Sequence, residues 1–178
     1  MVVRVDDRVL VYAARAGDVE AFAELVRRYQ AAVYRVALRM LGSAADAEDA
    51  AQEAFVQAWR GLGRFRGDSA VSTWLYRIVT NRCLNALAAR RPTEPLDFEV
   101  PSPGGDPAGI AEQHERFGAV AGTVAALPGE QRAALVLRDF EGLSYEEIAQ
   151  VLGVSLAAVK GRVHRARLAV LKEASAWR

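Results

Sequence analysis

The side chains best suited to bind an anionic partner lie near the carboxyl end of the chain. Residues 155–178 contain six Lys or Arg residues and a single acid, Glu173. Cations of this kind neutralise phosphate charge and release counterions, which supplies the sequence-independent part of nucleic-acid affinity. A basic helix end is also a common solvated surface, so composition alone does not decide between these two interpretations.

The residues that precede this basic stretch favour nucleic-acid binding. Ser144 and Glu147 have the spacing of a capping box, and Gly153 fits the turn that ends the short helix they begin. Ser155 then fits the N-cap of the basic helix. Two capped helices across a glycine turn are typical of a helix-turn-helix, whose second helix enters the major groove of DNA. The sequence therefore predicts a DNA-binding face on the last helix.

A second candidate site lies in the loop 64–70 and on the helix after it. The loop combines an aromatic ring, two arginines, a glycine and short polar side chains, and Arg77 and Asn81 follow on the helix. A base lifted out of a duplex needs a surface to pack on, polar atoms for its Watson–Crick edge and cations for its backbone. A charged loop is more often a simple connection, and Trp74 fits a core position better than a base platform.

A third candidate surface is acidic. Asp46, Glu48, Asp49 and Glu53 share a helix whose opposite side is rich in alanine. Such carboxylates usually keep a surface solvated, and their other use is to dock on a basic partner.

The elements that carry these groups are all predicted to be helical, because apolar residues recur at steps of three and four. Upstream, one long helix follows Asp18 and ends at Gly42, and a second begins at Ser43 and ends at Gly61. A third helix covers residues 72–91. The downstream helices are predicted over residues 111–127, 130–141, 145–152 and 156–175.

Between these two helical groups, residues 92–115 are predicted to form a linker. The stretch holds five of the six prolines, six acids and no Lys or Arg, so it carries −6 while the rest of the chain carries +7. The sequence thus predicts domains at residues 1–91 and 116–178, joined by a flexible segment long enough to let them sit well apart.

Composition excludes several classes of protein. Cys83 is the only cysteine, which excludes an intramolecular disulfide, and its position suits ordinary helix packing. No apolar run approaches the roughly 20 residues of a membrane span, and the first residues lack the apolar core of a signal peptide, so we expect a cytoplasmic protein without membrane insertion. No phosphate loop, nucleophile with a base, or metal cluster indicates an enzyme, a cofactor or a metal site.

Taken together, these segments resemble those of an extracytoplasmic function sigma factor, a promoter-recognition subunit of bacterial RNA polymerase. The resemblance covers residues 17–174. It rests on the helix-turn-helix at 143–167, Leu127-Pro128 with Gln131-Arg132, Asp46-Ala47-Glu48-Asp49 with Gln52-Glu53-Ala54-Phe55, and Phe65-Arg66-Gly67-Asp68 before Thr73-Trp74-Leu75. It implies two helical domains, the first for the −10 promoter element and the second for the −35 element.

The resemblance also implies a role for each candidate surface. The acidic helix would bind the clamp helices of the largest subunit of core RNA polymerase through Asp49, Gln52 and Glu53. The loop and its helix would receive a flipped base of the −10 strand through Phe65, Arg66, Gly67, Asp68, Ser69, Ala70 and Asn81, with Arg77, Arg82 and Asn85 as weaker candidates.

For the −35 duplex, the implied contacts are Ser155, Lys160, Gly161, Arg162, His164, Arg165 and Arg167. The chain departs from the family at Ala158 and Gly161, where threonine and serine are frequent, so two polar contacts are absent. Glycine there permits close approach to DNA but weakens the helix. The resemblance further implies a contact of the second domain with the polymerase flap, and an anti-sigma factor as a partner.

Two other classes of function remain open on the residues alone. One is a freestanding helix-turn-helix regulator whose N-terminal domain senses a ligand or dimerises, and the other is an all-helical adaptor that does not bind DNA.

Overall fold

The computed structural model describes residues 5–90 and 121–175, and every regular element within these ranges is helical. The N-terminal domain contains α1 (Asp7–Arg15), α2 (Val19–Leu41), α3 (Ala44–Gly61), a 3-10 turn (Leu62–Arg64) and α4 (Val71–Ala89). The C-terminal domain contains a helical segment at 121–126, α5 (Gly129–Leu135), a π-helical turn (Val136–Phe140), α6 (Tyr145–Leu152) and α7 (Leu156–Ser175). The predicted all-α fold is confirmed, and the predicted linker lies outside the described residues.

The caps predicted for α2 and α3 are present. The Asp18 carboxylate accepts hydrogen bonds from the backbone N–H groups of Glu20 and Ala21, at 3.0 and 3.1 Å. Gly42 ends α2 in the left-handed conformation, with φ of 76°, which a residue with a side chain rarely adopts. The Ser43 hydroxyl then accepts from the N–H of Asp46 at the start of α3. These local signals explain why both boundaries were predicted from the sequence.

Helix α1 was not predicted. The Asp6 carboxylate caps it by accepting from the N–H of Arg8 at 2.7 Å, and Leu10, Val11 and Ala14 are buried against the rest of the domain. Asp7 pairs with Arg28 of α2 at 2.7 Å. An N-cap aspartate followed by this apolar spacing was the available signal, but the helix is short and its packing partners are distant in sequence.

The helix-turn-helix agrees with its prediction. The Ser144 hydroxyl accepts from the N–H of Glu147 at 3.1 Å, while the Glu147 carboxylate accepts from the N–H of Ser144 at 2.8 Å. Gly153 forms the turn with φ of 64°, and the Ser155 hydroxyl accepts from the N–H of Ala158 at 3.2 Å. A small core holds the two helices together, formed by Ala134, Leu137, Leu143, Ile148, Val151, Val159 and Val163.

The helix predicted over residues 130–141 forms, but its second half is π-helical. The N–H of Glu141 donates to the carbonyl of Val136, five residues back, at 3.1 Å. A π-helical turn fits one more residue between hydrogen-bonded groups than an α-helix does. It sends Asp139 toward α7 and Glu141 toward the N-terminal domain.

The two domains are packed together in the structure. Ala133 and Val136 belong to the same buried apolar cluster as the helices of the N-terminal domain. Arg132 is buried between the domains, where it donates to the carbonyls of Met40 at 2.5 Å and of Leu127 at 3.2 Å, and also to that of Ala125. Burial lowers the pKa of Arg132 to about 10, which leaves the guanidinium charged at neutral pH. The sequence allowed separated domains and left their relative position open.

The one cysteine is a packing residue, as predicted. Cys83 is fully buried on α4, and burial raises the pKa of its thiol to about 12. A thiol held neutral at physiological pH is a poor nucleophile.

Candidate nucleic-acid and protein interfaces

Helix α7 presents most of its predicted DNA contacts to solvent. Val159, Val163 and Ala166 face the domain interior, which turns Lys160, His164, Arg165 and Arg167 outward. The exposed side thus carries three cations and one imidazole over about two helical turns, a distribution suited to phosphates along one groove.

Two of the predicted arginine contacts are paired with acids of their own domain. Arg162 contacts Glu130 at 2.5 Å, and its side chain is only 16% exposed. Arg167 makes a two-point contact with Asp139, with the Nε to Oδ2 distance at 2.9 Å, and this hydrogen bonding raises the pKa of Arg167. A DNA phosphate must therefore compete with a carboxylate for either guanidinium, a feature that sequence spacing did not reveal.

Gly161 and Ser155 have structural roles in α7 that accompany their predicted contacts. A Cβ on Gly161 would lie 3.2 Å from Nη1 of Arg165, so the absence of a side chain gives that guanidinium room against the helix. The Ser155 hydroxyl caps the helix. The DNA contacts of Ser155 and of the other α7 residues stay predictions.

A cleft of about 620 Å³ lies where the loop 64–70 meets α4. Six predicted −10 residues line it: Phe65, Arg66, Asp68, Ser69, Arg77 and Asn81. Gln57, Arg64, Thr73, Trp74, Ile78 and Gln150 complete the lining. Gln150 belongs to α6, so the C-terminal domain contributes a wall of this cleft.

The aromatic residues of the cleft have the opposite arrangement from the one expected. Phe65 is only 9% exposed and belongs to the core cluster, whereas the half-buried Trp74 also lines the cleft, with the two ring centroids 4.7 Å apart. Trp74 is thus the more exposed of the two rings that line the cleft, and Phe65 packs against it. The position of Trp74 in the first turn of α4, directly after the loop, was the signal that could have indicated this.

The remaining predicted −10 residues lie outside the lining of the cleft. Gly67 shapes the loop with φ of 79°, and Ala70 is the N-cap position of α4. Arg82 forms an ion pair with Glu53 of α3, and Asn85 is exposed farther along α4. The structure therefore brings six of the ten predicted residues together around the cleft.

The predicted polymerase-binding residues share one exposed face of α3. Asp49, Gln52 and Glu53 are all exposed, because Ala47, Ala50, Ala51, Ala54 and Ala58 face the core. The same side of α3 also exposes Val56 and Trp59, at 48% and 39%. The ring of Trp59 packs against that of Phe22, with 5.0 Å between the ring centroids.

Two features are absent from residues 5–90 and 121–175. No helix there is both long and apolar enough to cross a membrane. No group of three or more His, Cys, Asp or Glu side chains in the same residues is arranged to hold a metal ion.

Comparison with known proteins gives two matches to family models, in the order of the two domains. Residues 25–93 match sigma-70 region 2, and residues 118–170 match sigma-70 region 4. The acidic face of α3 and every residue that lines the cleft except Gln150 lie within the first match, and the helix-turn-helix, which includes Gln150, lies within the second.

Relatives that match over nearly their whole length are also sigma factors. The chain is 40% identical to the RNA polymerase sigma-H factor of Pseudomonas aeruginosa, over 97% of this chain and 95% of the relative. It is also 40% identical to the ECF RNA polymerase sigma-E factor of Escherichia coli, over 92% of each. Among solved structures, CnrH in complex with the cytosolic domain of CnrY is 30% identical, with a TM-score of 0.74 over 96% of this chain and 97% of that one.

Proposed function

The chain belongs to the extracytoplasmic function sigma factors, and from this premise we propose how its surfaces divide the steps of promoter recognition. A sigma factor directs core RNA polymerase to promoters. One observation carries this division of roles: the region 2 match contains both the exposed acidic face of α3 and all residues that line the cleft except Gln150.

The cleft is proposed to hold a base of the non-template −10 strand. Trp74 offers a ring to pack on, Asn81 and Asp68 offer polar atoms for the base edge, and Arg66 and Arg77 offer cations for the backbone. Stacking on an aromatic residue contributes about 1 to 3 kcal/mol, which offsets part of the few kcal/mol needed to unstack a base. Base capture in the cleft would in this way stabilise promoter melting.

Helix α7 is proposed to bind the −35 duplex. Lys160, His164 and Arg165 lie on its exposed side, and Arg162 and Arg167 would join them by exchanging their carboxylate partners for phosphates. Direct contacts to phosphates set affinity and register, while contacts to base edges set specificity.

The exposed face of α3 is proposed to bind the clamp helices of the largest polymerase subunit. Asp49, Gln52 and Glu53 supply the polar contacts, and Val56 and Trp59 add an apolar area beside them. The C-terminal domain is proposed to contact the polymerase flap. These contacts would bring the cleft to the DNA strand at the polymerase and account for opening without catalysis by the sigma factor itself.

An anti-sigma factor is proposed as a further partner. CnrH, which shares the fold over nearly the whole chain, was captured with the cytosolic domain of CnrY, and the RpoE of another structural neighbour with the anti-sigma factor NepR. A protein that works with RNA polymerase acts where the chromosome is, so we propose a cytoplasmic location. A freestanding regulator is less well supported, because the region 2 match occupies the domain that would have to sense or dimerise.

The proposed function is tested by reconstituting the chain with core polymerase and measuring transcription from genomic fragments. The polymerase contact is tested with a triple variant of α3. The Asp49→Ala, Gln52→Ala, Glu53→Ala variant is expected to lose at least tenfold in polymerase affinity while keeping its helical content, because only exposed side chains are removed. Arg60→Ala, at an exposed position on the same helix, is the matched control. Normal polymerase binding by the triple variant would remove the assignment, and failure of the wild-type chain to support transcription would overturn the proposed function.

A further inference from the structure

Helix α1 has an exposed face to which none of the proposed roles assigns a partner. Arg8, Tyr12 and Arg15 follow one another at steps of four and three, so they lie within about 60° of one another around the helix. All three are exposed, and Tyr12, at 77%, is more exposed than any other large apolar or aromatic side chain in residues 5–90 and 121–175. We name these three residues the α1 face. It precedes residue 25, where the first family-model match begins.

Contacts with the rest of the domain hold α1 in place at both ends. Near its start, Arg28 of α2 donates to the Asp7 carboxylate at 2.7 Å and to the carbonyl of Val5 at 2.6 Å. At its end, Nη1 of Arg15 donates to the carbonyl of Phe65 at 3.4 Å. A partner of the α1 face therefore meets a helix that is already ordered, which lowers the entropic cost of binding.

The α1 face continues from the cleft. Helix α1 packs against the 3-10 turn at Leu62–Arg64, whose last residue lines the cleft. Arg15 contacts the carbonyl of Phe65, another lining residue, and Tyr12 and Arg8 lie one and two turns farther back along α1. Arg8 and Arg15 are about 10 Å apart along the helix axis. This is the length of about three nucleotides at the spacing of about 3.4 Å in one strand of DNA.

The cations of the α1 face are available to an anionic partner. Within residues 5–90 and 121–175, neither Arg8 nor Arg15 forms an ion pair with a carboxylate. The two acids at the start of α1 have other contacts, since Asp6 caps the helix and Asp7 is paired with Arg28. A guanidinium has five N–H groups, so the contact of Arg15 with a carbonyl leaves donors for a phosphate.

An exposed aromatic ring between two arginines suits single-stranded nucleic acid. The ring stacks on an unpaired base, and the cations follow the backbone beside it. Val5 and Val9 are also exposed and lie beside the α1 face, which makes a protein the competing partner. Unpaired arginines and direct continuity with the cleft favour the DNA strand over a protein.

We propose that the α1 face binds the single-stranded DNA that continues from the base held in the cleft. Tyr12 stacks on an unpaired base, while Arg15 and Arg8 contact the phosphates before and after it. The inference rests on the proposed role of the cleft, and it lengthens the bound strand by about three nucleotides on one side. Because every base can stack, the α1 face adds affinity for melted DNA without adding a sequence requirement.

The test measures how the affinity of holoenzyme changes when a single-stranded −10 oligonucleotide is lengthened by the span of the α1 face at its 5′ or its 3′ end. The oligonucleotide comes from a promoter selected by transcription. At one of the two ends, the gain from lengthening is expected to be about tenfold smaller with Tyr12→Ala than with the wild type, within the range for one stacked base. Tyr12→Phe keeps the ring and should retain the gain. Val19→Ala, at an exposed apolar position of α2 outside the α1 face, is the matched control.

Arg8→Ala provides a second measurement at the end of the α1 face that is distant from the cleft. For the lengthened oligonucleotide, it should flatten the slope of log affinity against log salt by about 0.7, the value for one phosphate of a single strand. The slope for the short oligonucleotide should not change, because Arg8 lies about 10 Å along α1 from the contact of Arg15 with the loop.

Three results would contradict the inference, and a fourth would count against the cleft. Equal gains from lengthening in the wild type and Tyr12→Ala overturn it. An equal loss by Tyr12→Ala on the short and the lengthened oligonucleotide also overturns it, because Tyr12 would then support the cleft. Weaker binding of Tyr12→Ala to core polymerase, with oligonucleotide binding unchanged, would make the α1 face a protein contact. Failure of wild-type holoenzyme to bind even the short oligonucleotide would instead remove the proposed function of the cleft, and the inference with it.

Discussion

The cleft and the exposed side of α7 are both proposed to bind DNA, yet they are built in different ways. The α7 surface lies on one helix, and its orientation is set by local caps and by the apolar positions of that helix. The cleft draws its lining from α3, the loop 64–70, α4 and α6. A surface on one helix can be read from its sequence, whereas a cleft depends on which elements pack together.

The charges of the two sites differ as well. Within residues 5–90 and 121–175, no ion pair involves Arg64, Arg66 or Arg77 of the cleft, whereas Arg162 and Arg167 of α7 each have a carboxylate partner. Under the proposed roles, the cleft arginines would bind a phosphate backbone without first leaving a carboxylate, whereas Arg162 and Arg167 would have to exchange a carboxylate for a phosphate. This contrast predicts different responses to substitution.

The largest effect is expected from Phe65→Ala, on the free energy of unfolding. This substitution tests whether Phe65 supports the cleft or binds DNA itself. Phe65 is buried in the core cluster, so its truncation should lower the free energy of unfolding by about 3 kcal/mol, the range for a buried phenylalanine. Chemical denaturation monitored by circular dichroism measures this. A loss below about 1 kcal/mol, together with a selective defect in −10 binding, would restore Phe65 as the base-packing residue.

A smaller effect is expected from Asn81→Ala, which removes a polar group from the cleft while leaving its support intact. Binding of the single-stranded −10 oligonucleotide by holoenzyme should weaken about tenfold, because an unmatched base edge in a closed site costs on the order of 1 to 3 kcal/mol. Asn85→Ala, on the same helix but outside the lining, is the control and should behave as wild type. Permanganate reactivity at a native promoter provides a second measurement. Equal behaviour of the two variants would show that the cleft does not read the strand.

The smallest effect is expected for substitutions on α7, where Arg165→Ala and Arg162→Ala are compared in their binding to the −35 duplex. Arg165 is exposed, so its loss should weaken −35 duplex binding several-fold and flatten the slope of log affinity against log salt by about 0.9, the value for one phosphate. Arg162→Ala should change the slope less, because its guanidinium begins in contact with Glu130. Fluorescence anisotropy between 50 and 200 mM salt, about the range over which such contacts weaken, distinguishes them. Identical slopes in both variants and the wild type would assign these arginines to a solvated surface.

Much of the fold follows from short-range signals. The boundaries of α2, α3, α6 and α7 agree with prediction because each depends on a cap within four residues of the helix end. Helix α1 was missed because its stability comes from contacts with α2. The π-helical turn has no comparable signature, since residues 136–140 carry an ordinary helical pattern.

The candidate sites were predicted less completely than the helices. The exposed face of α3 and the solvent side of α7 follow from helical periodicity. The burial of Phe65 and the partial exposure of Trp74 were not predicted, because the sequence beside a loop gives no indication of which of two aromatic neighbours is buried. Contacts across the domain boundary, such as Glu141 with Arg35 and Arg39, join positions over 100 residues apart and lie beyond any local pattern.

The π-helical turn makes the relation between the domains sensitive to chain length as well as to residue type. Asp139 binds α7 and Glu141 binds α2, so two residues of one short segment have partners on opposite sides. Deleting one residue from 136–140 would return the segment to α-helical geometry, which has fewer residues per turn, and would change the angle between the side chains of Asp139 and Glu141. Asp139 and Glu141 could not then both keep their arginine partners, even though the composition and hydrophobic pattern of the chain would scarcely change. A single-codon deletion here would thus uncouple the domains, and relatives with a different segment length should pack their domains in a different register.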